Sequence, residues 1–322
     1  MLHFCQNMQP IDHFYPLLNT PSKVIITMHQ KPDGDAMGST LGLYHFLKAL
    51  GHDAVVISPT NWADFLDWMP GINTVIDFEK KRDAALALIN DADYLFCLDF
   101  NTLSRTKNME APLANSKGAR ILIDHHQQPQ TEVFAYGVSD TSKSSTCEMV
   151  YDFIMGSQNG AHISLDVATC LYTGLMTDTG SFRFPSTTSI THRVIADLID
   201  KGADNSKIHN NVYDTNSFNK LQLLGCALNN LKVLPEFNTA YITLSQEELN
   251  KYQFRKGDTE GIVNYGLSID GIKFAVIFIE HKQEGIVKIS LRSKGDFDVN
   301  NLAREHFNGG GHINAAGGRS SE

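Results

Sequence analysis

Asp124-His125-His126 closes the apolar run Ile121-Leu122-Ile123, which puts one acid and two imidazoles at what reads as the end of a buried strand. Ligand sites of open α/β sheets gather outside the carboxyl ends of the strands, so this triplet is placed to bind metal or carry protons. Two further apolar runs end alike. Val24-Ile25-Ile26-Thr27-Met28 leads into His29 and then Asp33-Gly34-Asp35, and Tyr94-Leu95-Phe96-Cys97-Leu98 ends in Asp99. Asp178 stands in the polar turn that follows a predicted helix. In His29-x3-Asp33-x-Asp35, Pro32 and Gly34 bend the chain so that ligands from one loop can converge. Carboxylates suit hard divalent ions, and imidazole shifts the preference toward Mn, Fe, Co or Zn over Mg and Ca. Each group alone also reads as a strand-end turn or cap. Together, Asp33, Asp35, Asp99, Asp124 and Asp178 in one crevice would repel one another and have raised pKa values unless cations neutralised them. A two-metal centre removes that conflict and gives the cluster a use.

A second group lies near the end of the sequence. The glycines of Gly309-Gly310-Gly311-His312 read either as a flexible loop or as a nest of N–H groups, open to an anion because no Cβ intervenes. His312 and Arg292, in Ile289-Ser290-Leu291-Arg292-Ser293, add charged donors suited to phosphate. The sequence contains no Walker A pattern, HExxH, GxSxG or dinucleotide fingerprint.

These residues need a frame. Strands are expected at 24–28, 54–58, 74–78, 94–98, 120–123 and 133–138, with helices over 36–50 and from about 82 to 89. Gly51 is a plausible C-cap for the first helix. This β-α-β rhythm predicts an α/β fold with a parallel sheet and helices on both faces. Helices follow at 144–156 and 165–177, and 190–234 is mostly helical. A β-rich unit with strands at 240–244, 274–279 and 287–291 and helices near 259–266 and 298–306 ends the chain. The expected organisation is a metal-binding domain over 1–189, a helical connector over 190–235 and a smaller α/β domain over 236–322.

The chain has 322 residues, enough for two cores, and its 42% hydrophobic content is that of an ordered globular protein. A formal charge of −9 argues against coating long nucleic acid, but not against a short anionic substrate beside bound metal. The five cysteines are scattered and form no CxxC pair, which favours reduced thiols and a cytoplasmic location over a zinc cluster or disulfide scaffold. No secretion signal and no 18-residue apolar run is apparent.

The order His29-x3-Asp33-Gly34-Asp35, Asp99, Asp124-His125-His126, Asp178 and Gly309-Gly310-Gly311-His312 resembles the DHH/DHHA1 phosphoesterase family over nearly the whole chain. Within it, a two-domain chain of this length looks most like the NrnA-type members, which degrade very short RNA oligonucleotides and dephosphorylate 3'-phosphoadenosine 5'-phosphate. The chain ends at Ser320-Ser321-Glu322, where relatives usually carry a further short segment. The resemblance implies two divalent ions, most simply Mn2+. His29 and Asp33 would bind one, Asp35, His125 and Asp178 the other, and Asp99 both, with Asp124 supporting its neighbours. His126 would face the scissile phosphate, and Arg292, Ser293, Gly309, Gly310, Gly311 and His312 would bind substrate. Asp99, His126, Arg292 and His312 are thus the expected catalytic groups, and a homodimer is compatible with the family. Exopolyphosphatase, cyclic-dinucleotide phosphodiesterase and non-catalytic nucleotide sensor are the alternatives.

Overall fold

A computed structural model of the chain describes residues 8–321. Cys5 and Glu322 lie outside them. The chain divides into two compact units, one ending at Asp214 and one beginning at Thr215.

The first unit is built on seven strands: β1 (Gln9–Pro10), β2 (Lys23–Thr27), β3 (Asp53–Ser58), β4 (Ile76–Asp77), β5 (Tyr94–Leu98), β6 (Ala119–Asp124) and β7 (Tyr136–Ser139). All pair in parallel, in the order β1-β7-β6-β5-β2-β3-β4. Side chains alternate across the pleat, so successive residues enter different cores. Val24 and Ile26 of β2, Phe96 of β5 and Ile121 of β6 enter one core with α1 (Gly34–Ala49), α4 (Thr146–Gly156) and α5 (Leu165–Asp178). Ile25, Leu95, Cys97 and Leu122 enter the other with α2 (Arg82–Asp91) and α3 (Glu110–Asn115). Each such buried side chain contributes roughly 1.5–3 kcal/mol relative to exposure. The sheet is therefore covered on both faces, as continuous apolar strands require. The expected strands at 74–78 and 133–138 are shorter than their apolar runs, because 3-10 turns take Ile72–Thr74 and Thr131–Val133.

Helix α1 is buried along almost its whole length. Asp33 caps it, accepting from the N–H groups of Asp35 and Ala36, and Gly51 ends it with φ 88°. Gly34, Gly38 and Gly42, four apart on one stripe, face α5. A Cβ on Gly38 would lie 2.6 Å from the Cys170 carbonyl, and one on Gly42 would lie 2.6 Å from Leu171 Cδ2. The helices run antiparallel, so the first turn of α1 meets the last turn of α5.

Residues 190–235, expected as a connector, divide between the units. Helices α6 (Ser189–Asp200) and α7 (Asn205–Tyr213) pack on the first through Val194, Leu198 and Ile208, while Leu223 and Ala227 of α8 (Phe218–Asn229) join a core of the second. Their amphipathic spacing marked them as helices but carried no record of which core takes each face.

The second unit has a mixed six-stranded sheet of β8 (Lys232–Leu234), β9 (Thr239–Leu244), β10 (Phe274–His281), β11 (Ile286–Ser293), β12 (Gly310–His312) and β13 (Ala315–Ser321), in the order β12-β13-β11-β10-β9-β8. Helices α9 (Gln246–Lys251), α10 (Val263–Leu267) and α11 (Val299–His306) accompany it. At the start of α9, the Ser245 hydroxyl accepts from Glu248 N–H and the Glu248 carboxylate accepts from Ser245 N–H. Burial pushes the Glu248 carboxyl up, but hydrogen bonds from Asn230, Ser245 and Cys226 outweigh it and bring it down to about 2. A lowered carboxyl stabilises above its ordinary value of 4.5, and that stabilisation is lost as pH falls toward 2. Glu248→Gln is therefore expected to reduce hydrogen-exchange protection of α9 at neutral pH, with the difference closing in acid. Equal protection of the two proteins at neutral pH would contradict this.

Among the described residues, no helix is long and apolar enough to cross a membrane.

Candidate metal centre

Strands β6, β5 and β2 are neighbours, so their carboxyl ends bring Asp124-His125-His126, Asp99 and His29 side by side. The strand order reverses between β5 and β2, the position where open α/β sheets form their crevice. Helix α1 begins there with Asp35, and α5 ends there with Asp178.

Three sets of ligand atoms result within this unit, one of them Asp99, Asp124 and His126. His29, Asp33 and Asp99 offer atoms all within 4.8 Å of one another, and so do Asp35, His125 and Asp178. Asp99 faces both: Oδ2 is 3.4 Å from His29 Nε2 and Oδ1 is 3.5 Å from His125 Nε2. His125 Nε2 also lies 3.8 Å from Asp35 and 3.7 Å from Asp178. Both imidazoles are set by their other nitrogen. Nδ1 of His29 is 2.8 Å from the Gln30 carbonyl, and Nδ1 of His125 is 3.4 Å from that of Lys143. A carbonyl only accepts, so Nδ1 carries the hydrogen and Nε2 is left to meet the carboxylates.

Asp124 is fully buried, and its Oδ1 lies 2.7 Å from His126 Nδ1. Among the described residues, its Oδ2 has no hydrogen-bond partner. Asp99 holds a left-handed backbone, φ 62°, a conformation that Asp and Asn tolerate better than most side chains.

The electrostatics are those of a cluster with too much negative charge. Burial, then the charges of Asp99 and Asp178, push Asp35 well above the usual carboxylate range. Burial would also raise Asp99, but hydrogen bonds from His125 and His29 hold it well below. Burial opposes charge on His125, yet Asp99, Asp178 and Asp35 raise it well above the ordinary imidazole value. Buried carboxylates and imidazoles whose ligand atoms converge, with one carboxylate oxygen unpartnered, form a donor set that fits divalent cations.

The structure also brings in residues that the sequence left unnoticed. Asp35 accepts from Thr146 N–H at 2.7 Å and Cys147 N–H at 2.9 Å, so its carboxylate sits on the first turn of α4. There it uses N–H groups that a helix start leaves without intrahelical partners. The Thr146 hydroxyl donates to Asp99 Oδ1 at 3.0 Å. The pattern Ser145-x-x-Glu148 before an apolar run is a helix-start signature and could have located this turn.

In the second unit, Arg292 ends β11 beside Ser293, and His312 pairs in register with Ala315. Arg292 donates from Nη1 to the Leu291 carbonyl, and Ser293 receives Asn314 Nδ2 and donates to the Phe297 carbonyl. The expected glycine nest is corrected. Residues 310–312 form strand β12, Gly309 N–H donates to the Ala303 carbonyl, and Gly311 N–H donates to Asn300 Oδ1. These amides are spent within the fold. Glycine is needed for close packing instead, because a Cβ on Gly309 would overlap the Gly317 carbonyl.

The DHH family N-terminal domain matches residues 23–175, and the DHHA1 domain matches residues 238–322. The bifunctional oligoribonuclease and PAP phosphatase NrnA of Thermus thermophilus is 32% identical over 91% of this chain and 83% of that protein. Its namesake from Bacillus subtilis is 28% identical over 91% of this chain and 88% of that protein. The crystal structure of an exopolyphosphatase-related protein from Bacteroides fragilis superposes with a TM-score of 0.92 at 43% identity, covering 96% of this chain and 90% of that one. RecJ of Thermus thermophilus, solved with Mn2+, shares the fold at 13% identity and a TM-score of 0.53, covering 97% of this chain and 52% of that one.

Proposed function

The chain belongs to the DHH family of phosphoric ester hydrolases, with a DHHA1 domain, and we propose that it is a manganese-dependent, cytoplasmic enzyme for short RNA oligonucleotides and 3'-phosphoadenosine 5'-phosphate. The observation that carries this reading is a pair of ligand-atom sets, His29, Asp33 and Asp99 beside Asp35, His125 and Asp178, with one Asp99 oxygen facing His29 and the other His125. His29 and Asp33 would hold one ion, Asp35, His125 and Asp178 the other, and Asp99 would serve both. Bound there, divalent ions polarise phosphoryl oxygens and bring the pKa of water down to about 7. The mixed imidazole and carboxylate set favours manganese over magnesium.

The chain's own groups do the remaining work. Asp124 fixes the His126 ring through Nδ1, and Nε2 would then meet a phosphoryl oxygen. Arg292 and His312 bind substrate phosphate, the guanidinium offering paired donors to two oxygens. The names of the Thermus thermophilus and Bacillus subtilis relatives support the substrate class. The likeness to the Bacteroides fragilis protein favours polyphosphate as the second reading.

A panel of manganese-supplemented assays tests the proposal, using a dinucleotide, a five-mer RNA, 3'-phosphoadenosine 5'-phosphate, cyclic di-AMP and polyphosphate. Hydrolysis of the short RNAs and of 3'-phosphoadenosine 5'-phosphate is expected. Cleavage of polyphosphate or cyclic di-AMP alone would replace the substrate assignment, and nucleotide binding without hydrolysis of any substrate would make the protein a sensor. Arg292→Ala is expected to raise KM about 10-fold or more, as loss of a charged hydrogen bond worth about 1.5–3 kcal/mol requires, with bound manganese unchanged. Loss of manganese from that variant would show that Arg292 serves the metal centre instead.

A further inference from the structure

We propose that Thr146 is a positioning residue for the metal centre, its hydroxyl holding the plane of the Asp99 carboxylate so that one oxygen faces each ligand set. This inference rests on the metal-dependent reading above. The torsion about a carboxylate's last bond is broad, so a shared ligand needs something to hold its plane. The Thr146 hydroxyl donates to Asp99 Oδ1 at 3.0 Å, on the side where that oxygen faces His125. Oδ2 is thereby turned to His29. The Thr146 N–H meanwhile donates to Asp35 Oδ2, so one residue touches a carboxylate from β5's end and another from α1.

Thr146 is itself held firmly. It is fully buried in the first turn of α4, whose N-cap Ser145 accepts from Glu148 N–H. The Glu148 carboxylate, 2% exposed, accepts from the hydroxyls of Ser144 and of Thr191 on α6 and lies 3.4 Å from Lys143 Nζ. The Lys143 carbonyl in turn meets His125 Nδ1. Residues 143–148 therefore reach His125, Asp35 and Asp99 and are anchored to α6 from behind. Among residues 143–148, Thr146 alone reaches a ligand carboxylate with a side-chain oxygen.

Groups that orient metal ligands commonly change affinity 10- to 100-fold when removed, which sets the expected effect at about 10-fold or more. Mn2+ affinity is measured from the electron paramagnetic resonance of free Mn2+, beside thermal unfolding and steady-state kinetics. Thr146→Val removes the hydroxyl at constant shape, and Thr146→Ala removes it with less bulk. Both are expected to weaken Mn2+ binding by about 10-fold or more and to lower kcat with little change in substrate KM. Thr146→Ser keeps the hydroxyl and is expected to restore both. Wild-type Mn2+ affinity in either folded hydroxyl-free variant overturns the proposal. So does a Thr146→Ser variant as impaired as Thr146→Val at an unchanged Tm, which would assign the effect to packing. A wild-type protein that binds no Mn2+ overturns this proposal together with the metal reading, whereas normal binding in the wild type and in Thr146→Val overturns this one alone.

Discussion

Asp99→Asn is expected to leave a folded protein whose phosphoester hydrolysis falls by on the order of 10³-fold, the equivalent of about 4 kcal/mol of lost transition-state stabilisation. Asparagine is the informative replacement. Asp99 lies at φ 62°, where Asn sits as readily as Asp, whereas Ala would add backbone strain to the loss of the ligand. Asn also keeps an oxygen to accept from Thr146. What it removes is the negative charge between His29 and His125 that, against burial, keeps both imidazoles more basic than usual. Mn2+ titration beside the assay separates loss of ions from loss of chemistry. Full manganese-dependent turnover in this variant would sink the assignment of Asp99 as the shared ligand.

The second large effect lies at a residue with no side chain. A Cβ on Gly174 would overlap Cys147 Sγ and lie 3.0 Å from both the Cα and Oδ1 of Asp35. Gly174→Ala is expected to cost about 3 kcal/mol through overpacking, lowering Tm by ~6–12 °C. It is also expected to weaken Mn2+ binding, because the methyl presses on a ligand. The double variant with Cys147→Ala separates the two effects. Removing the sulfur makes room for the methyl and recovers much of the Tm, while the contact with Asp35 and the weakened binding remain. A Gly174→Ala protein with wild-type Tm and Mn2+ affinity would show that α1 and α5 can part without consequence.

The candidate site was legible to the extent that local pattern carries it. His29, Asp99 and Asp124-His125-His126 each end an apolar run, and a run of buried residues closing on polar ones signals a strand end. That all three ends are neighbours is a matter of strand order, which pairwise hydrogen bonding decides and no run encodes. The left-handed turn at Asp99 was likewise silent, since it follows from the path between β5 and what comes after. Thr146 was missed because its contacts reach back 47 residues to Asp99 and 111 to Asp35. The glycines near His312 misled for a physical reason. Absence of Cβ permits both an exposed nest and a close-packed strand, and here neighbouring carbonyls fill the space. In the expected connector, helical periodicity was plain at α6, α7 and α8, but a helix shows only that it has an apolar face, not where that face goes.

The meeting of α1 with α5 also bears on how such a chain can vary. Asp35 and Asp178 stand at the joined ends of two helices whose spacing is set by backbone touching backbone across Gly38 and Gly174. Their separation does not depend on the length of the surface segments that link the other elements. Insertions in the mostly exposed turn between α4 and α5 are therefore expected to leave both carboxylates in place. Chain length can change at the periphery while the interval between the two acids stays set by helix contact rather than by their neighbours in sequence.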